Sequence, residues 1–136
     1  MPLKSNDTSG AVTRKRIEAW VAQRESSTVV AVADAAATLT AAQIIDSKIF
    51  KQTPSAARTL TTSTAALLVA AATDYAVGTS FDFSIINLAA ASYSITLAGG
   101  DGVTIVGLAT VAPVTSAMFR VVIDSATAAS VYRLSA

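Results

Sequence analysis

Residues 79–87 alternate between apolar and polar side chains, and this alternation constrains the possible fold more than any other feature of the sequence. The apolar positions include Phe81, Phe83 and Ile85, and polar side chains separate them. A period of two residues places these apolar side chains on one face of an extended segment. The pattern therefore predicts a half-buried β-strand, which needs further strands beside it to form a stable sheet.

Segments with similar strand signals recur along the chain at spacings near ten residues. The predicted strands are 27–33, 58–61, 92–98, 103–107, 117–123 and 130–134. In the third of these segments, Tyr93, Ile95 and Leu97 are expected to point inward. The glycine-rich residues 99–102 are then expected to turn the chain into a hairpin with the strand that follows.

Residues 63–74 depart from the strand pattern. They are rich in alanine and leucine, begin with a residue type that caps helices, and lead to Gly78. This combination predicts a helix of about three turns. The fold class is therefore mainly β: a single antiparallel β-sandwich or jelly-roll-like domain with one short inserted helix and an N-terminal arm. The strand signals leave the strand order open.

Charged side chains divide the chain into two regions. The first 25 residues hold eight of the nineteen charged side chains, and the sequence after Ser27 consists mainly of alanine, threonine, valine and isoleucine with isolated charges. Such a change of composition is typical of a boundary between an arm and a domain. We therefore predict a charged N-terminal arm over residues 1–27 and a β-sandwich body over residues 28–136.

The arm contains an amphipathic pattern. Ile17, Trp20, Val21 and Arg24 follow the spacing of one helix face, and Thr13 is a candidate cap. A helix this short is marginally stable alone in water, so it is expected to dock on its own body or on a neighbouring subunit. A tryptophan beside arginines is the residue type that concentrates binding energy in interfaces, although covering the end of the body's core is an equal alternative for it.

Composition excludes most enzyme classes. The chain has no cysteine and no histidine, so it lacks thiolate nucleophiles, disulfides, Cys/His zinc sites and the usual general base near neutral pH. Asp74 and Asp82 flank the turn before the best strand, but structural roles explain both better than a glycosidase pair does. Residues 99–102 lack the ligands of a phosphate or calcium loop. We predict no catalytic, cofactor or metal site, and no enzyme activity.

Charge and hydropathy also limit the partners. The net charge is +1, so no overall field gathers nucleic acid or anionic membrane, and the basic triplet 14–16 is a weak signal by itself. The longest apolar run, 65–72, is far shorter than a membrane-spanning helix, and the N-terminus lacks the apolar core of a secretion signal.

Hydrophobic residues make up 52% of the chain and charged ones 14%, which indicates that partners cover part of the surface.

Five motifs around the alanine-rich helix resemble a known class of proteins. They are RTLT at 58–61, VGTSFDFSIIN at 77–87, TLAGGDGVTIVG at 96–107, SAMFRV at 116–121 and VYRLS at 131–135. In this order, over residues 53–135, the pattern resembles small bacteriophage virion proteins of the decoration, cement or head-fibre type. The resemblance covers most of the body and none of the arm.

The resemblance implies a location and a partner. Such a protein is made in the host cytoplasm and assembles as a homotrimer on the outer surface of a phage head, where its N-terminal segments reach over the major capsid protein and stabilise the capsid lattice. Under this hypothesis the arm binds the capsid. The capsid-contact candidates are Arg14, Lys15, Arg16, Ile17, Trp20 and Arg24.

Two alternatives share much of this pattern. A tail-fibre or spike module, or a carbohydrate-binding β-sandwich with a host-surface glycan as its ligand, requires exposed aromatic rings for stacking on sugars. The tyrosines available are Tyr75, Tyr93 and Tyr132, of which Tyr93 is expected in the core. A β-rich enzyme requires a carboxylate pair in a cleft, and Asp74 with Asp82 is the pair to test.

Overall fold

The computed structural model describes residues 27–72 and 74–135 of the 136-residue chain. Within these ranges the chain is mainly β, as predicted, with one short α-helix, α1 (Ala65–Ala71), and a π-helical turn (Gln43–Ser47). The strands are β1 (Thr28–Ala31), β2 (Ala37–Leu39), β3 (Lys48–Gln52), β4 (Arg58–Thr62), β5 (Ser80–Asn87), β6 (Ile95–Ala98), β7 (Val103–Val106), β8 (Thr110–Val111), β9 (Thr115–Ser125) and β10 (Ala128–Arg133).

The strands form two sheets. The six-stranded sheet has the order β1-β3-β5-β9-β10-β7, and the four-stranded sheet has the order β2-β4-β6-β8. From β1 to β6 the chain alternates between the sheets, and each strand lies parallel to the previous strand of its own sheet. The first half of the body therefore winds as three two-strand coils, and the antiparallel strands β9 and β10 complete the larger sheet.

The predicted antiparallel, jelly-roll-like arrangement is wrong in strand direction. Of the eight pairings between described strands, five are parallel and three are antiparallel. A parallel neighbour normally requires a long crossover between two strands of one sheet. Here the intervening strand of the other sheet serves as that crossover. Short strands at spacings near ten residues are thus compatible with parallel winding as well as with hairpins.

One core lies between the two sheets. Its buried side chains include Leu60 and Leu97 from the smaller sheet and a row of three phenylalanines from the larger one, Phe50, Phe83 and Phe119. The rings of Phe50 and Phe83 meet edge to face with centroids 5.9 Å apart, and those of Phe83 and Phe119 stack at 5.5 Å. The inward face predicted for β5 is confirmed, because Phe83 is buried and its alternate neighbours follow the same face.

The predicted hairpin at residues 99–102 does not form, since β6 and β7 belong to different sheets. The glycine-rich segment instead carries the chain from one sheet to the other against the start of α1. A Cβ on Gly100 would lie 2.7 Å from the Thr62 carbonyl oxygen and 2.8 Å from that of Ser63. Gly102 has a φ of 77°, which favours glycine. The glycines are required for a close approach of backbones.

Two other expectations need correction. The helix is shorter than the predicted 63–74: Thr64 caps α1 by accepting a hydrogen bond from the Leu67 N–H at 3.3 Å, and the helix ends at Ala71. Tyr93 is not in the core. It precedes β6 and is 38% exposed, because the inward alternation begins only at Ile95.

At one corner of each coil the chain passes from the larger sheet to the smaller one, and buried amide side chains connect the corners of successive coils. Gln52, at the end of β3, is 2% exposed and donates from Nε2 to the carbonyl oxygens of Ala33 and Ala35 at 2.6 and 2.9 Å. These carbonyls belong to the corner between β1 and β2. The backbone carbonyl oxygen of Gln52 accepts a hydrogen bond from the Leu88 N–H at 2.8 Å, at the corner between β5 and β6.

Asn87, the register partner of Gln52, holds the next corner. It is completely buried. Its Nδ2 donates to the carbonyl oxygens of Tyr93 and Val111 at 2.8 and 3.0 Å, and its Oδ1 accepts from the Ala89 N–H at 2.9 Å. One side chain therefore satisfies two backbone groups of the β5–β6 loop and one of β8, which removes the cost of burying them unpaired.

An exposed ion pair connects the corner between β1 and β2 to the start of β4. Asp34 accepts from Arg58 Nε at 2.8 Å, and also from the N–H and the hydroxyl of Ser55. These contacts, first of all the hydrogen bond from Arg58, lower the pKa of Asp34 to about 2 from 3.8. A group whose pKa is lower in the folded state contributes stability above its unfolded pKa and loses it as the pH falls through the folded value.

Asp34→Asn is therefore expected to reduce the urea midpoint at pH 6, with the difference from the unmodified protein shrinking between about pH 4 and pH 2. Urea unfolding followed by circular dichroism at several pH values measures this. Asp46→Asn, at an exposed position of the π-helical turn, is the control for the loss of one negative charge. A difference for Asp34→Asn that stays constant down to pH 2 would contradict the role given to the ion pair.

Candidate interaction surface

The side of the six-stranded sheet turned away from the core carries a broad apolar surface. Because side chains alternate along a strand, the buried residues identify the outward ones. In β9, Phe119 and Val121 are buried, so Met118 and Arg120 point outward. In β10, Val131 is buried and Tyr132 points outward. We call this surface the outer face. Its principal residues are Val29, Ile49, Asp82, Val106, Met118, Arg120, Tyr132 and Leu134.

The first row of the outer face runs across nearly the whole sheet. In register, Val29 lies beside Ile49, Ile49 beside Ser84, and Ser84 beside Met118. Leu134 continues this row, since its N–H donates to the Met118 carbonyl oxygen at 2.8 Å. Four of the five side chains are apolar, and β1, at one edge of the sheet, begins the row.

The second row lies next to the first and contains the only ion pair described on this face. Asp82 pairs with Arg120, Arg120 with Tyr132, and Tyr132 with Val106 at the opposite edge of the sheet. Arg120 donates to both carboxylate oxygens of Asp82, at 2.7 and 3.1 Å. The two charges neutralise each other in a bidentate contact, so the centre of the outer face is electrically neutral.

The exposure of these side chains makes the outer face a candidate interaction surface. Val29 is 52% exposed, Leu134 45%, Met118 43%, Val106 42% and Tyr132 38%. Their combined exposed apolar area is on the order of 400 Å², which is the size of the largest apolar patch on a typical monomer and often functional. Methionine, tyrosine and arginine are also the types enriched in protein interfaces.

Side chains at the end of β10 point alternately to the outer face and to the core. Tyr132 and Leu134 point outward, whereas Arg133 lies between them over the Phe119 ring, 5.8 Å from its centroid. Its Nη1 donates to the Thr110 carbonyl oxygen at 2.6 Å. The guanidinium thus ties the last strand of the large sheet to β8 of the small one and holds the apolar pair in place.

A second surface lies on the small sheet. A groove of about 760 Å³ runs between α1 and strands β2 and β4, and hydroxyl-bearing residues line much of it. They are Thr38, Thr40, Thr61, Thr62, Ser63 and Thr64. The Ser63 hydroxyl is buried and makes no hydrogen bond within the described part of the chain. The rest of the lining is apolar apart from Asp101: Ala41, Leu67, Ala70, Ala71 and Gly100.

The carboxylates considered for catalysis are in structural positions. Asp82 is bound by Arg120 on the outer face, and Asp74 lies in a turn with a φ of 48°. Among residues 27–72 and 74–135, no three acidic side chains gather as metal ligands would. Over the same ranges no helix has the length and apolarity to cross a bilayer.

The sequence-predicted contact residues and the outer face do not coincide. Arg14, Lys15, Arg16, Ile17, Trp20 and Arg24 all lie outside the described residues. Sequence reasoning missed the outer face, although a signal was present. Outward positions of a half-buried strand are normally polar, whereas β9 has Met118 and Val122 there.

All three tyrosines are partly exposed, and for Tyr93 this differs from the expected core position. Tyr75, Tyr93 and Tyr132 are 37%, 38% and 38% exposed. They lie on different elements: the turn before β5, the loop before β6, and β10. Exposed rings are a feature of sugar-binding surfaces, but a single binding site requires them to lie together.

Comparison with known proteins adds no family to these observations. Searches against protein-family models, curated proteins and solved structures found no match for this chain. The likeness to phage virion proteins stays a prediction from the order of the sequence motifs. The outer face and the groove are therefore the candidate interaction surfaces of the described residues.

Proposed function

We propose that this protein is a structural virion protein: a homotrimeric decoration or cement protein that binds the outer surface of a phage head and stabilises the major capsid protein lattice. The observation that carries the proposal is the outer face. An exposed apolar surface on this scale costs free energy in water, and covering it by protein removes that cost. The order of motifs over residues 53–135 supplies the virion assignment.

The proposed body is a β-sandwich whose two sheets share one core, and the mechanism is mechanical. Three copies present three arms, residues 1–27, to neighbouring capsid subunits. Once one arm is bound, the others bind at a high effective concentration, so modest single contacts become a stable attachment. Attachment that spans several capsid subunits resists their separation. No bond is made or broken in such a function.

The proposal is tested by co-sedimentation with phage heads that lack the protein. The full chain is expected to pellet with the heads, and a chain without residues 1–25 is expected to remain in the supernatant while keeping its circular dichroism spectrum. A triple variant, Arg16→Glu, Trp20→Ala and Arg24→Glu, provides the same test at full length. Head binding at least tenfold weaker is expected because three candidate contacts are lost.

Two results would overturn this assignment. Full-length protein that does not pellet with the heads contradicts the decoration function. Shortened protein that pellets as well as the full chain contradicts the role of the arm and moves the contact to the body. Heads decorated with the full chain should also withstand heating better than bare heads, because ligand binding stabilises the bound state.

The exposed tyrosines favour a second candidate, a tail-fibre, spike or carbohydrate-binding module with a host-surface glycan as ligand. Tyr93 and Tyr132 are each 38% exposed, and aromatic rings of this kind stack on sugar rings. A glycan-binding screen distinguishes the candidates. Binding that is lost in Tyr93→Ala or Tyr132→Ala would favour the glycan receptor, and the absence of binding with intact head attachment would favour decoration.

A further inference from the structure

We infer that the outer face is the surface through which copies of this chain bind one another. The inference rests on the proposed function in one respect, that the protein acts as an oligomer, and it names the surface that does so. Val29 and Val106 stand at opposite edges of the six-stranded sheet, and Met118, Tyr132 and Leu134 lie between them. Exposed apolar side chains therefore occur from one edge of the sheet to the other, around the central Asp82–Arg120 ion pair.

The area of the outer face suits a stable interface. A standard protein interface buries about 800 Å² on each partner, of which roughly 60% is apolar. The exposed apolar side chains of the outer face provide on the order of 400 Å², close to the apolar part of such an interface. Covering the outer face with a second copy would therefore bury an interface of about the standard size.

The charges of the outer face favour a second copy over a charged partner. At its centre Asp82 and Arg120 neutralise each other at 2.7 Å. Lys51 and Asp124 are also on the outward side, but at opposite ends: Lys51 pairs through Ile86 with Ser116 near the start of β9, and Asp124 is near the end of β9. Arranged around a common axis, such faces therefore bring copies together without burying an uncompensated charge at their centre.

The geometry also separates this surface from the arm. The described chain begins at Ser27, directly before the edge strand β1. Self-association through the outer face leaves the start of β1 at the rim of the interface. The arm therefore joins the described chain at an edge of the sheet and not in the middle of the outer face.

The test is the mass of the full chain in solution, with matched lysine substitutions. By light scattering, the unmodified protein is expected at about three times the chain mass of 13.8 kDa. Met118→Lys places a charge in the middle of the outer face, and its association is expected to be at least about a hundredfold weaker, giving a monomer. Leu67→Lys is the control, because Leu67 is 57% exposed on α1 in the groove of the small sheet.

A second measurement covers the case in which the lysine variant fails to fold. The chain contains no cysteine, so Met118→Cys and Leu67→Cys each introduce one thiol and add no charge. At high concentration, maleimide is expected to label Leu67→Cys at least tenfold faster than Met118→Cys. Protection that disappears on dilution identifies a second copy. Protection that persists at every dilution identifies a segment of the same chain and overturns the inference.

The remaining outcomes separate this inference from the proposed function. An unmodified protein that is monomeric, or a Met118→Lys variant with the full oligomeric mass, overturns the inference even where heads are still decorated. An oligomer that Met118→Lys dissociates supports the inference, and it does so even where the unmodified protein fails to bind heads. In that last case the decoration function is lost and the self-association surface stands.

Discussion

Phe83→Ala is expected to lower the free energy of unfolding by about 3–5 kcal/mol, the largest loss for any single core substitution in this chain. Phe83 is the middle ring of the aromatic row, in contact with Phe50 at 5.9 Å and with Phe119 at 5.5 Å. It is 1% exposed. Removing the ring forfeits its burial and leaves a cavity between β3 and β9 that the rigid sheet cannot close.

Urea unfolding followed by far-ultraviolet circular dichroism measures this loss. Two controls bracket it. Phe83→Leu keeps most of the volume and is expected to cost about 1 kcal/mol. Phe81→Ala removes the same group from a partly buried position of the same strand, so its cost should be clearly smaller. Domains of this kind are stable by about 5–15 kcal/mol. A Phe83→Ala protein as stable as Phe81→Ala would contradict the core described above.

Asn87→Ala is expected to lower the free energy of unfolding by about 3 kcal/mol, the second large effect. The cause is different, because the lost side chain is polar. Its amide satisfies the carbonyl oxygens of Tyr93 and Val111 and the N–H of Ala89. Alanine removes all three hydrogen bonds, in a place where Asn87 itself has no contact with water. Each unpaired buried group costs about 1 kcal/mol or more.

The same urea experiment measures this loss, and Gln52→Ala is the matched control. Gln52 is also a buried amide at a coil corner, but its carbonyl partners Ala33 and Ala35 are on an exposed loop, where water can replace the lost donors. Its substitution should therefore cost less. Asn87→Asp retains the acceptor for the Ala89 N–H but removes both donors and buries a charge, so it is expected to be at least as damaging as alanine. A smaller cost for Asn87→Ala than for Gln52→Ala would contradict this account.

Local patterns predicted the elements of this fold well where one face of a segment is buried. The alternation around Phe83 and the apolar positions of β9 and β10 identified three strands of the larger sheet, and Thr64 marked the start of α1 within one residue of the predicted cap. Each of these signals depends only on neighbours a few residues apart. The β-rich class was therefore readable from the sequence.

Relations between distant segments were not readable in the same way. Residues 99–102 have the composition of a hairpin turn, yet Gly100 lies against the Thr62 and Ser63 carbonyls and the chain crosses to the other sheet. A glycine-rich segment specifies that the backbone bends or approaches closely, and not which strand it joins. Parallel winding was missed for this reason.

The two candidate interaction surfaces, the arm and the outer face, also differ in whether local sequence patterns could identify them. The arm residues from Arg14 to Arg24 were selected by helical spacing and charge, and their role stays a prediction. The outer face could not be selected from spacing, since Val29, Met118 and Tyr132 are separated by up to about a hundred residues and become neighbours only through strand register.

By itself, the sequence determined that this protein is β-rich, that it lacks the side chains for thiol, histidine or Cys/His zinc chemistry, and that its charged side chains are concentrated in the first 25 residues. These properties follow from composition and from local periodicity, which folding does not change. The tertiary structure alone decided three features. The strands wind in parallel coils, Asn87 binds the backbone at the corner between β5 and β6, and apolar residues far apart in sequence lie together on one exposed face. Each of these depends on strand pairing, a long-range choice made by packing two sheets over a common core.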